Sequence, residues 1–67
     1  MELYQLRQFA AVAKYENMTR AAESLNVAQP AVSRTIRNLE SELGAELFER
    51  TGKGLRRTEQ GDILLRY

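Results

Sequence analysis

The stretch NVAQPAVSRTIRNLE, from Asn26 to Glu40, decides the fold of this chain. Its apolar residues recur at three- and four-residue steps, and Leu43 continues the series: Val32, Ile36 and Leu39. This spacing predicts a helix with one buried face. Its polar residues collect on the other side: Gln29, Ser33, Arg34, Arg37 and Asn38. No acidic residue lies between Glu23 and Glu40, so the polar face presents amide, hydroxyl and guanidinium groups to a partner.

Local signals predict where this helix begins and ends. Pro30 suits a first helical turn, because the N–H that it lacks would be unsatisfied there in any residue. Gly44 suits the C-terminal end, where a left-handed backbone conformation is common. The helix is therefore predicted over residues 29–43.

Two helices are predicted before it. Apolar residues at helical spacing predict the first over residues 3–16. Thr19 is a suitable cap for a second, short helix over residues 20–25, and Asn26 suits its end because asparagine tolerates a left-handed backbone. A turn of about three residues then joins the second helix to the third, which predicts a helix-turn-helix.

The pattern changes after Gly44. An extended stretch over residues 47–50, the turn sequence TGKG and a return strand over residues 55–57 predict a small hairpin, or wing, over residues 47–57. The expected fold class is mainly α: a winged helix-turn-helix with three helices, a short two-stranded wing and the start of a linker helix.

A further helix is predicted after the wing. Thr58 caps it, and Ile63, Leu64 and Tyr67 form an apolar stripe that could take part in dimerisation. Because this helix has no C-terminal cap, we expect it to be truncated. The expected organisation is one domain at 1–58, followed at 59–67 by the start of a further helix.

Composition excludes several functions. The 67 residues suffice for one small domain, and they include no cysteine and no histidine. Disulfides, Cys/His zinc sites and the usual general base are therefore excluded, and the carboxylates are scattered. We expect no enzyme activity, no metal and no cofactor. No segment resembles a signal peptide or a membrane helix, so a cytoplasmic protein is expected.

Charge is segregated although the net charge is only +1. Four acidic residues occupy one block: Glu40, Glu42, Glu46 and Glu49. The next block, residues 50–58, carries basic residues and no acid: Arg50, Lys53, Arg56 and Arg57. A segregated basic surface is typical of nucleic-acid binding, and a solvated face is the simpler alternative.

The run AAESLNVAQPAVSRTIRNLE, followed by LGAELFERTGKG, resembles the N-terminal DNA-binding region of LysR-type transcriptional regulators. The similarity covers nearly the whole chain. It implies a bacterial regulator that binds an inverted-repeat operator in double-stranded DNA. It also implies that residues 1–58 form the DNA-binding domain and that residues 59–67 begin a linker or dimerisation helix. The full linker helix would form a homo-oligomer, and a small-molecule effector would be bound only by a C-terminal domain that is missing here.

The chemistry of the polar face and the resemblance indicate the same base-contacting residues. A helix in the major groove must present side chains of limited length to base edges. Gln29 can pair with adenine or bind a phosphate, Ser33 can do either, and Arg34 can form a bidentate contact to guanine. The resemblance implies that Gln29, Pro30, Ser33 and Arg34 face DNA.

A second set of residues is expected on phosphates or in the minor groove: Thr19, Arg20, Arg37, Asn38, Arg50 and Lys53. A helix N-terminus attracts phosphate, which favours Thr19 and Arg20. The resemblance places Lys53 at the wing tip, in the minor groove or on its phosphates. Simpler alternatives are an ion pair between Arg37 and Glu40, and an ordinary exposed turn lysine at Lys53.

Two positions depart from the family pattern. Ala28 stands where Ser or Thr commonly caps the recognition helix, which removes a hydroxyl. Arg57 stands where the residue is usually apolar, so its stem is expected to cover the core while its guanidinium reaches solvent or DNA.

The alternative function is a winged helix that binds protein.

Overall fold

The computed structural model describes residues 1–66, so Tyr67 of the predicted apolar stripe lies outside the described residues. Four helices and two strands follow one another along the chain: α1 (Leu3–Tyr15), α2 (Met18–Leu25), α3 (Gln29–Leu43), β1 (Phe48–Thr51), β2 (Gly54–Arg57) and α4 (Glu59–Leu65). The strands pair antiparallel. The predicted winged helix-turn-helix is confirmed.

Helix α3 begins and ends where the sequence predicts. Ala28 is its N-cap in an extended conformation and makes no side-chain cap bond, and Pro30 lies in the first turn. Gly44 ends the helix with a φ of 67°, and its N–H donates to the carbonyl of Glu40. The missing hydroxyl at Ala28 is thus tolerated, because proline and glycine still define the two ends.

The prediction that Thr19 caps α2 is wrong. The N-cap is Asn17, whose side chain accepts a hydrogen bond from the Arg20 N–H at 2.9 Å. The helix therefore begins two residues earlier than predicted, and Thr19 is an exposed residue of its first turn. Asn26 ends α2 in the predicted left-handed conformation, with a φ of 59°.

The core lies between the three helices of the bundle and the start of the wing. Each of α1, α2 and α3 packs against the other two. The largest fully buried side chains come from α1, from α3 and from the residue before β1: Val12, Val32, Leu39 and Leu47. Small Ala21 and Ala22 let α2 approach closely. Leu43, expected on the buried face of α3, is 41% exposed because it lies at the helix end, beyond the bundle.

The wing is attached to α3 through Glu40. Its Oε2 accepts hydrogen bonds from the backbone N–H of Leu47 at 2.8 Å and of Phe48 at 3.4 Å. The Phe48 ring packs on Phe9 of α1, with 5.4 Å between ring centroids. A carboxylate and an aromatic pair therefore fix where the wing leaves the bundle.

The start of helix α4 is held against the segment that leads into β1. Thr58 caps it as predicted, accepting from the Gly61 N–H at 3.1 Å. The N–H of Thr58 donates to the carbonyl of Leu47 at 3.0 Å, and its hydroxyl donates to the carbonyl of Glu46. Gly61 is buried, and a Cβ at this position would overlap the Leu47 carbonyl. Close backbone packing there requires glycine.

The Arg57 guanidinium, expected to reach solvent or DNA, is bonded within the domain, although its side chain remains 36% exposed. Its Nε donates to Asp62 Oδ1 at 2.7 Å, and its terminal nitrogen donates to the carbonyl of Ala13 at 3.0 Å. That carbonyl lies in the last turn of α1, where carbonyls lack helical partners and a cation is favourable. Arg57 therefore joins the wing to both α1 and α4.

Candidate nucleic-acid interface

The outward face of α3 collects the predicted base-contacting residues in one arc. At 3.6 residues per turn, positions 29, 30, 33, 34 and 37 lie within about 140° of one another. Pro30, Arg34 and Arg37 are exposed, and Gln29 and Ser33 are half-buried. Asn38 is exposed at the margin of the same arc. The opposite face of the helix is buried in the core through Val32, Ile36 and Leu39, so this arc faces away from the domain.

Two residues of this face are bonded to each other. The Gln29 Nε2 donates a hydrogen bond to the Ser33 Oγ at 2.7 Å. Residues four positions apart on a helix are neighbours, so the bond needs no distortion of the backbone. The structure thus brings these two predicted contacts together as a pair.

The two arginines of α3 have no ionic partner among residues 1–66. The ion pairs within that range are Arg57 with Asp62 and the Met1 amino group with Glu42. Glu40 is already engaged by two backbone N–H groups at the base of the wing. The alternative in which Arg37 pairs with Glu40 is therefore wrong, and both Arg34 and Arg37 extend from the helix with their charge uncompensated.

A groove runs between α3 and the wing. Ser33 and Arg37 of α3 line one side and Arg50 of β1 lines the other, with Met18 and Leu55 also lining it. Arg50 is exposed, as predicted for a residue that contacts phosphate. Glu40 also lines the groove, so the groove connects the polar face of α3 to Arg50 of β1 past one carboxylate.

A second basic cleft lies between the α1–α2 turn and the wing. Asn17, Arg20, Lys53 and Arg56 line it, together with one carboxylate, Glu16. The predicted phosphate contacts at Arg20 and Lys53 thus share one cleft, near the N-terminus of α2. Sequence reasoning did not assign Arg56 to the site, although its place in the basic block over residues 50–58 was a usable signal.

Thr51 orders the wing tip that carries Lys53. The Thr51 hydroxyl donates to the carbonyl of Gly54 at 3.0 Å and accepts from the Lys53 N–H at 3.2 Å. Gly54 has a φ of 119°, a conformation that side-chain-bearing residues rarely adopt. Lys53 is exposed at the tip of this two-residue turn. The tip of the wing therefore presents the Lys53 ammonium group on an ordered turn.

Other kinds of site find no support in the described part of the chain. Within residues 1–66, no three Asp or Glu side chains come together as metal ligands would. Over the same residues, no helix has the length and apolar character needed to cross a membrane.

Helix α4 leaves part of its apolar stripe uncovered. Ile63 is 48% exposed and Leu65 is 41% exposed, whereas Leu64 is half-buried and packs against the core of its own domain. Ile63 lines a groove with Leu43 and Leu47, and Leu65 lines another with Leu6 and Phe9. The exposed apolar surface of α4 is therefore divided between two sides of the helix, with Leu64 lining both grooves.

The three-helix bundle, the docked wing and the open polar face of α3 define a winged helix-turn-helix domain. The family model described as bacterial regulatory helix-turn-helix protein, lysR family, matches residues 3–62. The chain belongs to this family.

Individual relatives agree with this assignment. The chain is 51% identical to the RuBisCO operon transcriptional regulator of Allochromatium vinosum over 67 residues, which is 100% of this chain and 22% of that protein. It is 45% identical to the regulator BenM of Acinetobacter baylyi, again over 100% of this chain and 22% of that protein. The chain thus spans about a fifth of the length of these curated relatives, which are transcriptional regulators.

Solved structures match over the whole domain. A crystal structure of BenM_DBD with catB site 1 DNA superposes with a TM-score of 0.94 at 45% identity, covering 100% of this chain and 75% of that one.

Proposed function

We propose that this chain is the DNA-binding unit of a bacterial transcription regulator and reads double-stranded DNA with α3 in the major groove. The observation that carries the proposal is the arc of hydrogen-bonding side chains on α3, whose two arginines have no ionic partner among residues 1–66. A recognition helix needs one face held by the domain and one face free for base edges. The BenM_DBD complex with DNA supports the proposal, because it shares this fold.

The part of α3 that faces the bases is assigned to four residues. Arg34 is exposed and unpaired within the described residues, which suits the bidentate contact to guanine O6 and N7. Gln29 offers a carboxamide for adenine, with Ser33 beside it. Pro30 is exposed next to them and can pack against a thymine methyl group.

Backbone contacts are assigned to the residues around that face. Arg37 lies in the same arc about one turn beyond Ser33 and Arg34, and Asn38 lies at its margin. Arg50 lines the same groove as Arg37. Thr19 and Arg20 lie in the first turn of α2, where the helix dipole favours phosphate. Contacts of this kind fix the register of a protein on DNA without reading its sequence.

The wing is assigned to the DNA backbone or the minor groove. Lys53 projects from an ordered tip and shares a cleft with Arg20 and Arg56. Its place between two glycines permits close approach to a phosphate wall.

The larger protein is proposed to work as a homo-oligomer on an inverted repeat. Residues 1–58 would form the DNA-binding domain, and residues 59–67 would begin a dimerisation helix with Ile63, Leu64 and Tyr67 on its apolar stripe. A small-molecule effector would bind a separate C-terminal domain, as expected from the resemblance. This function is exercised in the bacterial cytoplasm and requires neither a cofactor nor catalysis.

The test measures affinity for duplex DNA as a function of salt and selects the preferred sequence from a random pool. We expect salt-sensitive binding and a defined half-site, because phosphate contacts release counterions and base contacts specify sequence. Arg34→Ala should lose about 1–3 kcal/mol of binding free energy and relax preference at one base pair. Arg7→Ala, which removes an exposed arginine from α1, is the matched control.

The alternative of a protein-binding winged helix makes the opposite prediction. Such a module would show no salt-sensitive affinity for any duplex and would select no sequence. Wild-type affinity and an unchanged selected site in Arg34→Ala would remove Arg34 from the base-contacting set while leaving DNA binding in place.

A further inference from the structure

We infer that Ser33 does not read a base itself but positions Gln29, so that the two residues act as one reader of a single A·T base pair. This inference rests on the proposed function and assigns its chemistry at one position of the site. The observation that carries it is the hydrogen bond from Gln29 Nε2 to Ser33 Oγ at 2.7 Å.

The different lengths of the two side chains support this division of roles. Ser33 is half-buried in the groove that Met18 and Ile36 also line, whereas Pro30 and Arg34 on either side of it along the helix are exposed. Serine has a short side chain, so its hydroxyl is set back from the surface that meets a partner. Gln29 is half-buried as well, but its longer side chain can carry the carboxamide farther from the helix axis than the serine hydroxyl.

The hydrogen bond leaves the reading edge of the carboxamide available. The Gln29 amide nitrogen carries two hydrogens, and one of them is directed at Ser33. The other hydrogen and Oε1 form an adjacent donor and acceptor. Adenine presents the complementary pair in the major groove, an N7 acceptor and an N6 donor. The fixed carboxamide therefore matches adenine.

The same edge discriminates against guanine. Guanine presents two acceptors, N7 and O6, so Oε1 of Gln29 would face the guanine oxygen without a hydrogen between them. A mobile glutamine could rotate its amide to avoid this contact. Because Ser33 accepts a hydrogen bond from the amide nitrogen, rotation would require its hydroxyl to change from acceptor to donor. The bond as it stands favours the amide orientation that matches adenine.

The first experiment measures binding of the chain to its selected half-site and to duplexes in which each base pair is replaced in turn. The variants are Gln29→Ala, Ser33→Ala, the double variant and Ser33→Thr, which keeps a hydroxyl. Ser41→Ala is the matched control, because Ser41 is an exposed serine about two turns farther along α3.

We expect Gln29→Ala and Ser33→Ala to relax preference at the same A·T base pair, by roughly fivefold or more. At that base pair the double variant should be no worse than Gln29→Ala, since both changes remove one unit. Ser33→Thr should keep the preference. The inference is overturned if Ser33→Ala relaxes a different base pair, or if it changes nothing while Gln29→Ala relaxes one.

A second experiment tests the pair without DNA. In the free chain, the side-chain NH2 signals of Gln29 should be more ordered in NMR relaxation than those of Gln60, which is exposed on α4. Ser33→Ala should make Gln29 resemble Gln60, and an unchanged Gln29 would overturn the inference. Absence of specific DNA binding by the wild-type chain would instead overturn the proposed function, so the two failures are distinguishable.

Discussion

On the outward face of α3, Arg34 and Arg37 are exposed and have no ionic partner among residues 1–66. At the junction of the wing and α4, the guanidinium of Arg57 donates both to Asp62 and to the carbonyl of Ala13. The two regions use the same kind of side chain for different purposes. At the junction its hydrogen bonds are made within the domain, and on α3 they are left for another molecule.

The hydrogen-bond partners of an arginine distinguish a binding surface from a structural joint more reliably than its charge does. Arg56 and Arg57 are neighbours in sequence and carry the same charge, yet Arg56 lines the basic cleft with Lys53 while Arg57 holds α1 and α4. Adjacent residues of a strand point to opposite faces, so one serves the surface and the other the joint. A basic sequence block therefore overstates the number of cations available to DNA.

Leu39→Ala tests the core that supports α3 and should have the largest effect. We expect the free energy of unfolding to fall by about 2–5 kcal/mol, because the change removes a fully buried side chain from a close-packed core. That loss is comparable to the whole stability of a small domain. Thermal melting measures it, and Leu43→Ala, at an exposed leucine of the same helix, is the control. Equal melting temperatures for both variants would contradict the assigned core.

Gly61→Ala tests the close packing of α4 against the Leu47 carbonyl. A methyl group there would meet the Leu47 carbonyl, so the helix must shift, and we expect a loss of about 1–3 kcal/mol of stability. The better helix propensity of alanine opposes this loss but is smaller. Thermal melting and amide exchange in α4 measure the effect. Gly52→Ala, which meets no atom within 4 Å, is the control. A gain in stability for Gly61→Ala would show that α4 is not held by this contact.

The two regions also differ in how well the sequence predicts them. The ends of α3 follow from Pro30 and Gly44, which act through their own backbone, so a local signal is sufficient. The contact from Arg57 to Ala13 spans 44 residues, and no local pattern encodes it. The sequence predicts a cap at Thr19 from its residue type, which does not distinguish it from Asn17 two residues earlier. The backbone at Asn17, with a φ of −160°, decides between them.

The polar face of α3 was predictable because it, too, depends on a local pattern. The arc on α3 follows from helical periodicity once the apolar stripe is recognised, so residues 29, 33 and 34 could be named together, and the resemblance adds residue 30. The bond between Gln29 and Ser33 and the role of Thr51 at the wing tip depend on side-chain conformations that spacing does not specify. Their contributions became visible only in the folded chain.

Lys53→Ala tests the wing as a binding surface. We expect binding to weaken about equally on specific and random duplexes, and the salt dependence to fall by about one counterion, because a phosphate contact carries no sequence information. Salt titration of affinity on both duplexes measures this. Arg7→Ala should leave the salt dependence unchanged. A changed base preference with an unchanged salt slope would contradict a phosphate contact and favour direct readout in the minor groove.

Arg57→Ala, compared with Arg56→Ala, should give the smallest effect and the sharpest separation of the two regions. The Arg57 side chain is 36% exposed and Asp62 is 49% exposed, so solvent screens their ion pair, and we expect a loss of about 1 kcal/mol of stability or less. This loss should shrink as salt is added, while the affinity for DNA and the selected sequence stay the same. Arg56→Ala should do the reverse, lowering affinity for DNA without changing the melting temperature, because its guanidinium lines the cleft beside Lys53. If Arg57→Ala weakened DNA binding as much as Arg56→Ala and left stability unchanged, the guanidinium of Arg57 would belong to the binding surface, and the distinction between joint and surface would fail at this strand.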